Sequence, residues 1–262
     1  MRILLTNDDG ILAPGLAALR RVLTNIGDVT VAAPDTVQSA AGHAITIRDP
    51  LMVKKVHAHN EFHGWAVAGR PADCVKLAVK VLMDEQPDLV VSGINDGANV
   101  SVNVLYSGTV AAAAEGAMLG IPSVAVSLEW GDEMDFDRAA TIAGGLISSY
   151  VNSIKAGNPL CPLLNINIPD LKDGKPLGLK VVPQAVQRVD DHYEHVDGPD
   201  GLKHYWLRGW FSDYGSPEFD LRALRDGNVV LTPLHFDMTD HASLGRLAAN
   251  TWPDLTANQE AP

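Results

Sequence analysis

Two cysteines, Cys74 and Cys161, are all that 262 residues contain, and they stand far apart with no CxxC pair. That excludes a disulfide scaffold and a thiolate metal site, and leaves two thiols that read as buried packing groups. Basic residues are scarce as well: 20 Lys and Arg stand against 32 Asp and Glu, a net charge of −12. Such a chain lacks the clustered cations that non-specific DNA or RNA binding needs, so nucleic acid is not an expected partner. No apolar run is long enough to span a bilayer, and Met1 leads straight into the first predicted strand without a leader pattern. The expectation is a cytoplasmic protein with no membrane partner. A GxGxxG run after the first strand is also missing, which argues against a dinucleotide-binding oxidoreductase.

What remains is a composition of 46% hydrophobic and 20% charged residues, suited to a packed globule. Short apolar runs alternate with amphipathic segments. Strands are predicted at Ile3-Leu5, Val29-Ala33, Leu89-Val91, Ser123-Val126 and Leu163-Ile168, with shorter ones at Ala44-Ile47 and Leu51-Val56. Helices are predicted over Gly15-Ile26, Pro71-Met83, Gly108-Leu119 and Phe136-Ser153. Repeated strand–helix–strand units give a mostly parallel sheet with helices on both faces, an α/β three-layer sandwich of Rossmann-like type. Past Pro169 the texture turns polar and aromatic, and 185–215 reads as a β-hairpin arm. A returning strand at Val229-Thr232 and a terminal helix at Ala242-Ala249 follow. The whole of 1–262 is read as one domain, with 1–169 as its core and 229–250 as the return.

The chemistry gathers where strands end. "LLTNDDG" closes the first strand with two adjacent aspartates, Asp8 and Asp9, and Gly10 permits the turn that lets both converge. Ser39 lies in the loop after the second strand, and Asn95 in "VVSGIN" after a later one. Taken singly, each reads as an ordinary turn or cap residue. Together they offer hard oxygen donors only, which suit Mg²⁺ or Mn²⁺ rather than zinc. "YSGTVAAAAEG" puts Ser107, Gly108 and Thr109 at a helix start, where free N–H groups and hydroxyls make an anion site, and Asn99 is a nearby polar anchor. A phosphate monoester beside two bare carboxylates would meet about 13 kcal/mol of repulsion at an effective dielectric near 20, so the two sites are compatible only around a bound cation.

These stretches, with "GRPADCV", "LNINIP" and "TPLHFDMTD", together resemble the survival protein E family of metal-dependent 5′/3′-nucleotidases. The resemblance is dense from Met1 to about Ser127 and patchier to Asp240. It implies hydrolysis of nucleoside 5′- and 3′-monophosphates with one Mg²⁺ or Mn²⁺ per subunit. Asp8, Asp9, Ser39 and Asn95 would hold the metal, making the two aspartates catalytic, and the Ser107-Gly108-Thr109 turn would face the phosphate. It also implies a homodimer or homotetramer. Arg70 replaces the threonine usual in the family's Gly-Thr-Pro, and Ser101-Asn103 replaces its acidic pair, which bears on substrate preference. His43 and His235 are candidate proton-transfer groups.

Two other readings compete. A receiver-like Mg²⁺-binding signalling module shares the acidic pair, but needs a third aspartate where Asn95 stands and a lysine after the Ser123-Val126 strand. A phosphatase for non-nucleotide phosphoesters stays open. Haloacid-dehalogenase-like chemistry needs two aspartates one residue apart, and "NDDG" has the wrong spacing.

Overall fold

The computed structural model describes residues 1–255 except 173, 175, 188, 200 and 254. Strand β1 (Arg2–Thr6) is a continuous apolar run, and it lies at the middle of the sheet with both faces covered. Helix α1 (Pro14–Leu23) starts on a proline that needs no hydrogen-bond donor there, and buries Leu16, Leu19 and Leu23. It leads to β2 (Asp28–Pro34), parallel to β1 with Ile3 opposite Val29. The hairpin β3 (Val53–Ala58) and β4 (Phe62–Val67) extends that edge.

Helix α2 (Pro71–Leu77) runs on into a π-helical turn at Ala78–Leu82. The chain then crosses back to β5 (Leu89–Asp96), on the other side of β1, with Ile3 opposite Leu89. After a 3₁₀ turn at Ser101–Leu105 come α3 (Gly108–Met118), β6 (Ser123–Leu128), α4 (Phe136–Lys155) and β7 (Leu163–Ile168). Next are β8 (Gly178–Val181), the arm strands β9 (Asp190–Asp197) and β10 (Lys203–Trp210), α5 (Asp220–Arg225), β11 (Asn228–Leu234) and α6 (His241–Ala248).

The nine-stranded order is β3-β4-β2-β1-β5-β6-β7-β11-β8. All neighbours are parallel except β3–β4 and β7–β11. Strand alternation divides the core. Ile3 and Leu5 pack with Leu16, Leu19 and Ile147 under α1 and α4. Leu4 and Val90 pack with Val75 and Ala112 under α2 and α3. The three-layer α/β expectation therefore holds. The order also reverses between β1 and β5, and ligands of such sheets bind at that reversal, beyond the carboxyl ends of the strands.

Several local readings need correction. Ala44-Ile47 is not a strand: the amide and hydroxyl of Thr46 both donate to Asp73 at the start of α2 (2.9 and 2.7 Å), which commits the segment to a loop. Strands β4 and β8 and helix α5 were not expected at all. The arm is a hairpin, with Tyr205 opposite His195, and every β9 residue is exposed. Tyr193, Tyr205 and Trp206 project into solvent, whereas Tyr214 returns to the body, packing near Leu221 and Leu224 under the Arg225 guanidinium. The side chain of Trp210 lies outside the described part. Helix α6 buries no residue, leaving Leu244 and Leu247 exposed.

Candidate metal and phosphate site

The turn after β1 is shaped by Asn7. Its Oδ1 accepts from the Gly10 amide (3.1 Å) and its Nδ2 donates to the Gly10 carbonyl (2.9 Å), a closed clamp around Asp8 and Asp9. Gly10 sits at φ +96°, which an L side chain rarely adopts. This positioning role of Asn7 was missed from sequence, although an Asn three residues before a glycine is a recognisable signal for such a turn.

Three other loops meet the clamp. The Gln38 amide donates to the Asp8 carbonyl (2.7 Å), setting Ser39 beside it. The Asp96 amide donates to Asp9 Oδ2 (3.3 Å), bringing in the end of β5. The Thr109 hydroxyl donates to Asp8 Oδ1 from the first turn of α3. Gly108 makes that last approach possible: a Cβ there would sit 2.7 Å from Asp8 Cβ and 2.8 Å from its Oδ2. The loops that carry Ser39 and Asn95 and the Ser107-Gly108-Thr109 turn thus meet at Asp8 and Asp9, through Gln38, Asp96 and Thr109.

Asn99 is brought close but spent otherwise. Its amide donates to Ser127 (2.8 Å), its N–H to Asn167 (2.8 Å), and its carbonyl accepts from Asn165 (2.8 Å) and Asn167 (3.2 Å). It braces the loop from inside a buried polar network. Ser107 uses its hydroxyl to accept from the Val110 amide (3.0 Å), a helix cap, while the Gly108 and Thr109 amides at the open start of the helix face the Asp8 carboxyl.

Electrostatics mark the crevice. Burial raises the Asp8 carboxyl, against the Thr109 hydroxyl and the Gly108 and Thr109 amides that pull it down. Burial, then the Asp8 charge, push Asp9 up to about 6, with Asp96 adding repulsion. Carboxylates crowded and dehydrated in this way are relieved by a cation. Among the described residues no cluster of three His, Cys, Asp or Glu could hold a metal ion, and the oxygen donors nearest the pair in the chain's loops are those of Ser39 and Asn95. Asn95 fits: its Nδ2 donates to the Gly97 carbonyl (2.6 Å), which leaves its Oδ1 free for a cation. An all-oxygen set of this kind suits a hard divalent ion.

Beyond the phosphate turn opens a cavity of about 920 Å³, walled by Ser107, Val110 and Ala111 on one side and Val182, Leu234 and His235 on another. Its lining is mostly apolar, with His43 among the few polar groups. His235 accepts from the Asp237 amide at Nδ1 (2.9 Å) and stacks on Phe236. Arg70 donates to Gln38 Oε1 (2.7 Å), one residue from Ser39. Ser101 is buried, and its amide donates to Asp220 (3.0 Å), while the Ser107 amide bonds back to Asn103. Those two residues therefore brace the phosphate turn.

A Rossmann-like sheet whose switch point carries a buried carboxylate pair against a helix N-terminus defines an α/β protein with its candidate site at the carboxyl ends of the strands. Comparison narrows the class. The family model described as Survival protein SurE matches residues 3–191. The chain is 48% identical over 241 residues to a 5′-nucleotidase SurE of Rhodopirellula baltica, covering 91% of this chain and 94% of that one. It is 45% identical to the 5′-nucleotidase SurE of Syntrophobacter fumaroxidans, covering 94% and 98%. The crystal structure of the SurE protein from Aquifex aeolicus aligns with a TM-score of 0.80 at 35% identity, covering 94% of this chain and 98% of that chain. The chain belongs to the SurE family.

Proposed function

We propose that this protein is a divalent-metal-dependent phosphomonoesterase that hydrolyses nucleoside 5′- and 3′-monophosphates to nucleoside and phosphate. The observation that carries the reading is the meeting of Asp8 and Asp9 with the first turn of α3, through Thr109, at the sheet's switch point. The relatives' names, 5′-nucleotidase SurE, support the substrate class.

In this reading Asp8, Asp9, Ser39 and Asn95 hold one Mg²⁺ or Mn²⁺ per subunit. When bound, that ion supplies a Lewis acid for the phosphoryl oxygens and lowers the pKa of a water it holds. The chain's own residues do the rest. The Gly108 and Thr109 amides donate to the equatorial phosphoryl oxygens, aided by the positive end of α3, while the Thr109 hydroxyl stays on Asp8 Oδ1 and ties that carboxylate to the turn. Asn7 and Asn99 keep the two loops in place, and the cavity excludes water around the nucleoside. We read 1–262 as one domain and place the enzyme in the cytoplasm; among the described residues no helix is long and apolar enough to cross a membrane. The exposed arm and α6 suit a second copy of the chain, giving a homodimer or homotetramer.

The test is phosphate release from a panel of nucleoside 5′- and 3′-monophosphates with Mg²⁺ and with Mn²⁺, each repeated in excess EDTA. Metal-dependent turnover of nucleotides is expected. Turnover that survives EDTA, or that prefers non-nucleotide phosphoesters throughout, overturns the reading.

A further inference from the structure

Glu115 is a buried carboxylate that the proposed chemistry does not use. It lies two turns along α3 from the phosphate turn, in a run of alanines, with its side chain only 4% exposed. Two nitrogen groups reach it from other elements. Lys76 Nζ of α2 contacts Oε1 at 2.5 Å, and His43 Nε2, from the loop after β2, contacts Oε2 at 3.0 Å. His43 and Lys76 hold the Glu115 carboxyl below its ordinary range, so it is an anion at neutral pH. An anionic carboxylate has no proton to give, so the ring nitrogen facing it carries the hydrogen. That fixes the ring's orientation and leaves Nδ1 as the neutral ring's acceptor.

The loop bearing His43 is also tied to the phosphate end. The Gly42 amide donates to the Tyr106 carbonyl (3.0 Å), one residue before Ser107. The cavity floor follows α3 from Ser107 through Val110 and Ala111 to Ala114, a run of about 10 Å at the helical rise, comparable to a nucleoside. Side chains on a helix lean towards its N-terminus, so Glu115 holds the ring beside the middle of that floor rather than at its far end. In a bound nucleoside monophosphate the sugar occupies that level, joined to the phosphate through one ester oxygen.

We propose that His43, oriented by Glu115, binds a ribose hydroxyl and makes the site selective for the intact sugar. This rests on the nucleotidase reading and goes beyond it. Glu115 is then a positioning residue: it touches no substrate, and it fixes which His43 nitrogen faces the sugar. Lys76 secures the Glu115 charge from the opposite side.

The test compares kcat/KM for adenosine 5′-monophosphate and its 2′,3′-dideoxy analogue in the wild type, His43→Ala and Glu115→Gln. The wild type is expected to favour the ribonucleotide by about three- to tenfold, the value of one neutral hydrogen bond. Both variants should bring that ratio towards one, chiefly through KM. NMR titration with adenosine, which needs neither phosphate nor metal, should show weaker binding in both variants and no such change with 2′,3′-dideoxyadenosine. His43 lies on a partly exposed loop, so its truncation keeps the fold, which thermal melting verifies. A ratio unchanged in both variants overturns the proposal. So does a fall on p-nitrophenyl phosphate as large as that on the ribonucleotide, since His43 would then serve the phosphate. A wild type inactive on every nucleotide refutes the nucleotidase reading instead.

Discussion

The Thr109 hydroxyl donates to Asp8 Oδ1 across 101 residues of chain, so the phosphate turn and the carboxylate pair are one hydrogen-bonded unit. From sequence the two loops look separable. The contact makes Thr109→Val a double lesion: it cuts the tie that sets the turn against the carboxylate pair and strips Asp8 of its largest stabilising hydrogen bond. Turnover should fall by ~1–3 kcal/mol of transition-state stabilisation, and divalent-cation affinity should fall with it. Calorimetry showing wild-type Mn²⁺ affinity in Thr109→Val would break the link between the loops.

Asp8→Asn should abolish hydrolysis while preserving the fold. The amide oxygen still accepts from Thr109, and a buried charge beside Asp9 disappears. Without added cation the variant should melt at or above the wild-type temperature, and Mg²⁺ or Mn²⁺ should no longer raise it. Full activity in this variant would remove Asp8 from the mechanism.

The pH dependence follows from Asp9. Its carboxyl stands at about 6 in the folded, cation-free protein against 3.8 ordinarily, so the folded state holds a proton that the unfolded chain has released. Stability of EDTA-treated protein should therefore drop as pH rises from about 4 to 6 and level off above, the sign expected when the native state binds more protons. Divalent-ion affinity should climb through the same window. Urea titrations at fixed pH with EDTA check the first statement, and a flat profile would contradict it.

Gly108→Ala tests the closeness of α3 to the pair. Its Cβ would fall 2.8 Å from Asp8 Oδ2, so helix or turn must move. A loss of about 2 kcal/mol in stability, with weakened cation binding, is expected from overpacking of this kind.

For assembly, Trp206→Ser in the exposed arm should raise the subunit dissociation constant roughly thirtyfold, the usual effect of losing an aromatic anchor. Light scattering that finds wild type with the mass of one chain at micromolar concentration would end the oligomer proposal.

The parts of this fold that were legible in sequence are those with strong local signals. Strands β1 and β7 are near-continuous apolar runs, and α1 carries leucines at helical spacing after Pro14. Strand β8 has four residues and α5 six, too short for a period to show, and β4 is interrupted by Gly64. The Ala44-Ile47 error has a tertiary cause, since only the fold reveals that Asp73 claims the Thr46 backbone. At the candidate site, Asp8, Asp9 and the Ser107-Thr109 turn are readable because a strand end and a helix start announce them. Asp96, Arg70 beside Gln38, and above all Glu115 are not. A glutamate in "AAAAEG" looks like a solvated helix position until Lys76 and His43 arrive from elements far along the chain.

The cavity has two walls of different origin. Every group gathered around Asp8 and Asp9 comes from the first 109 residues, whereas the facing wall is built by Val182, Leu234 and His235. The family model covers 3–191 and so stops short of the 234–235 part of that wall. The 234–235 part of the wall is in this sense separable along the chain from the carboxylate pair it faces. Exchange of the segment after 228 between relatives offers a route to new leaving groups with the chemical step retained, and a grafted chimera is the natural unit for engineering it.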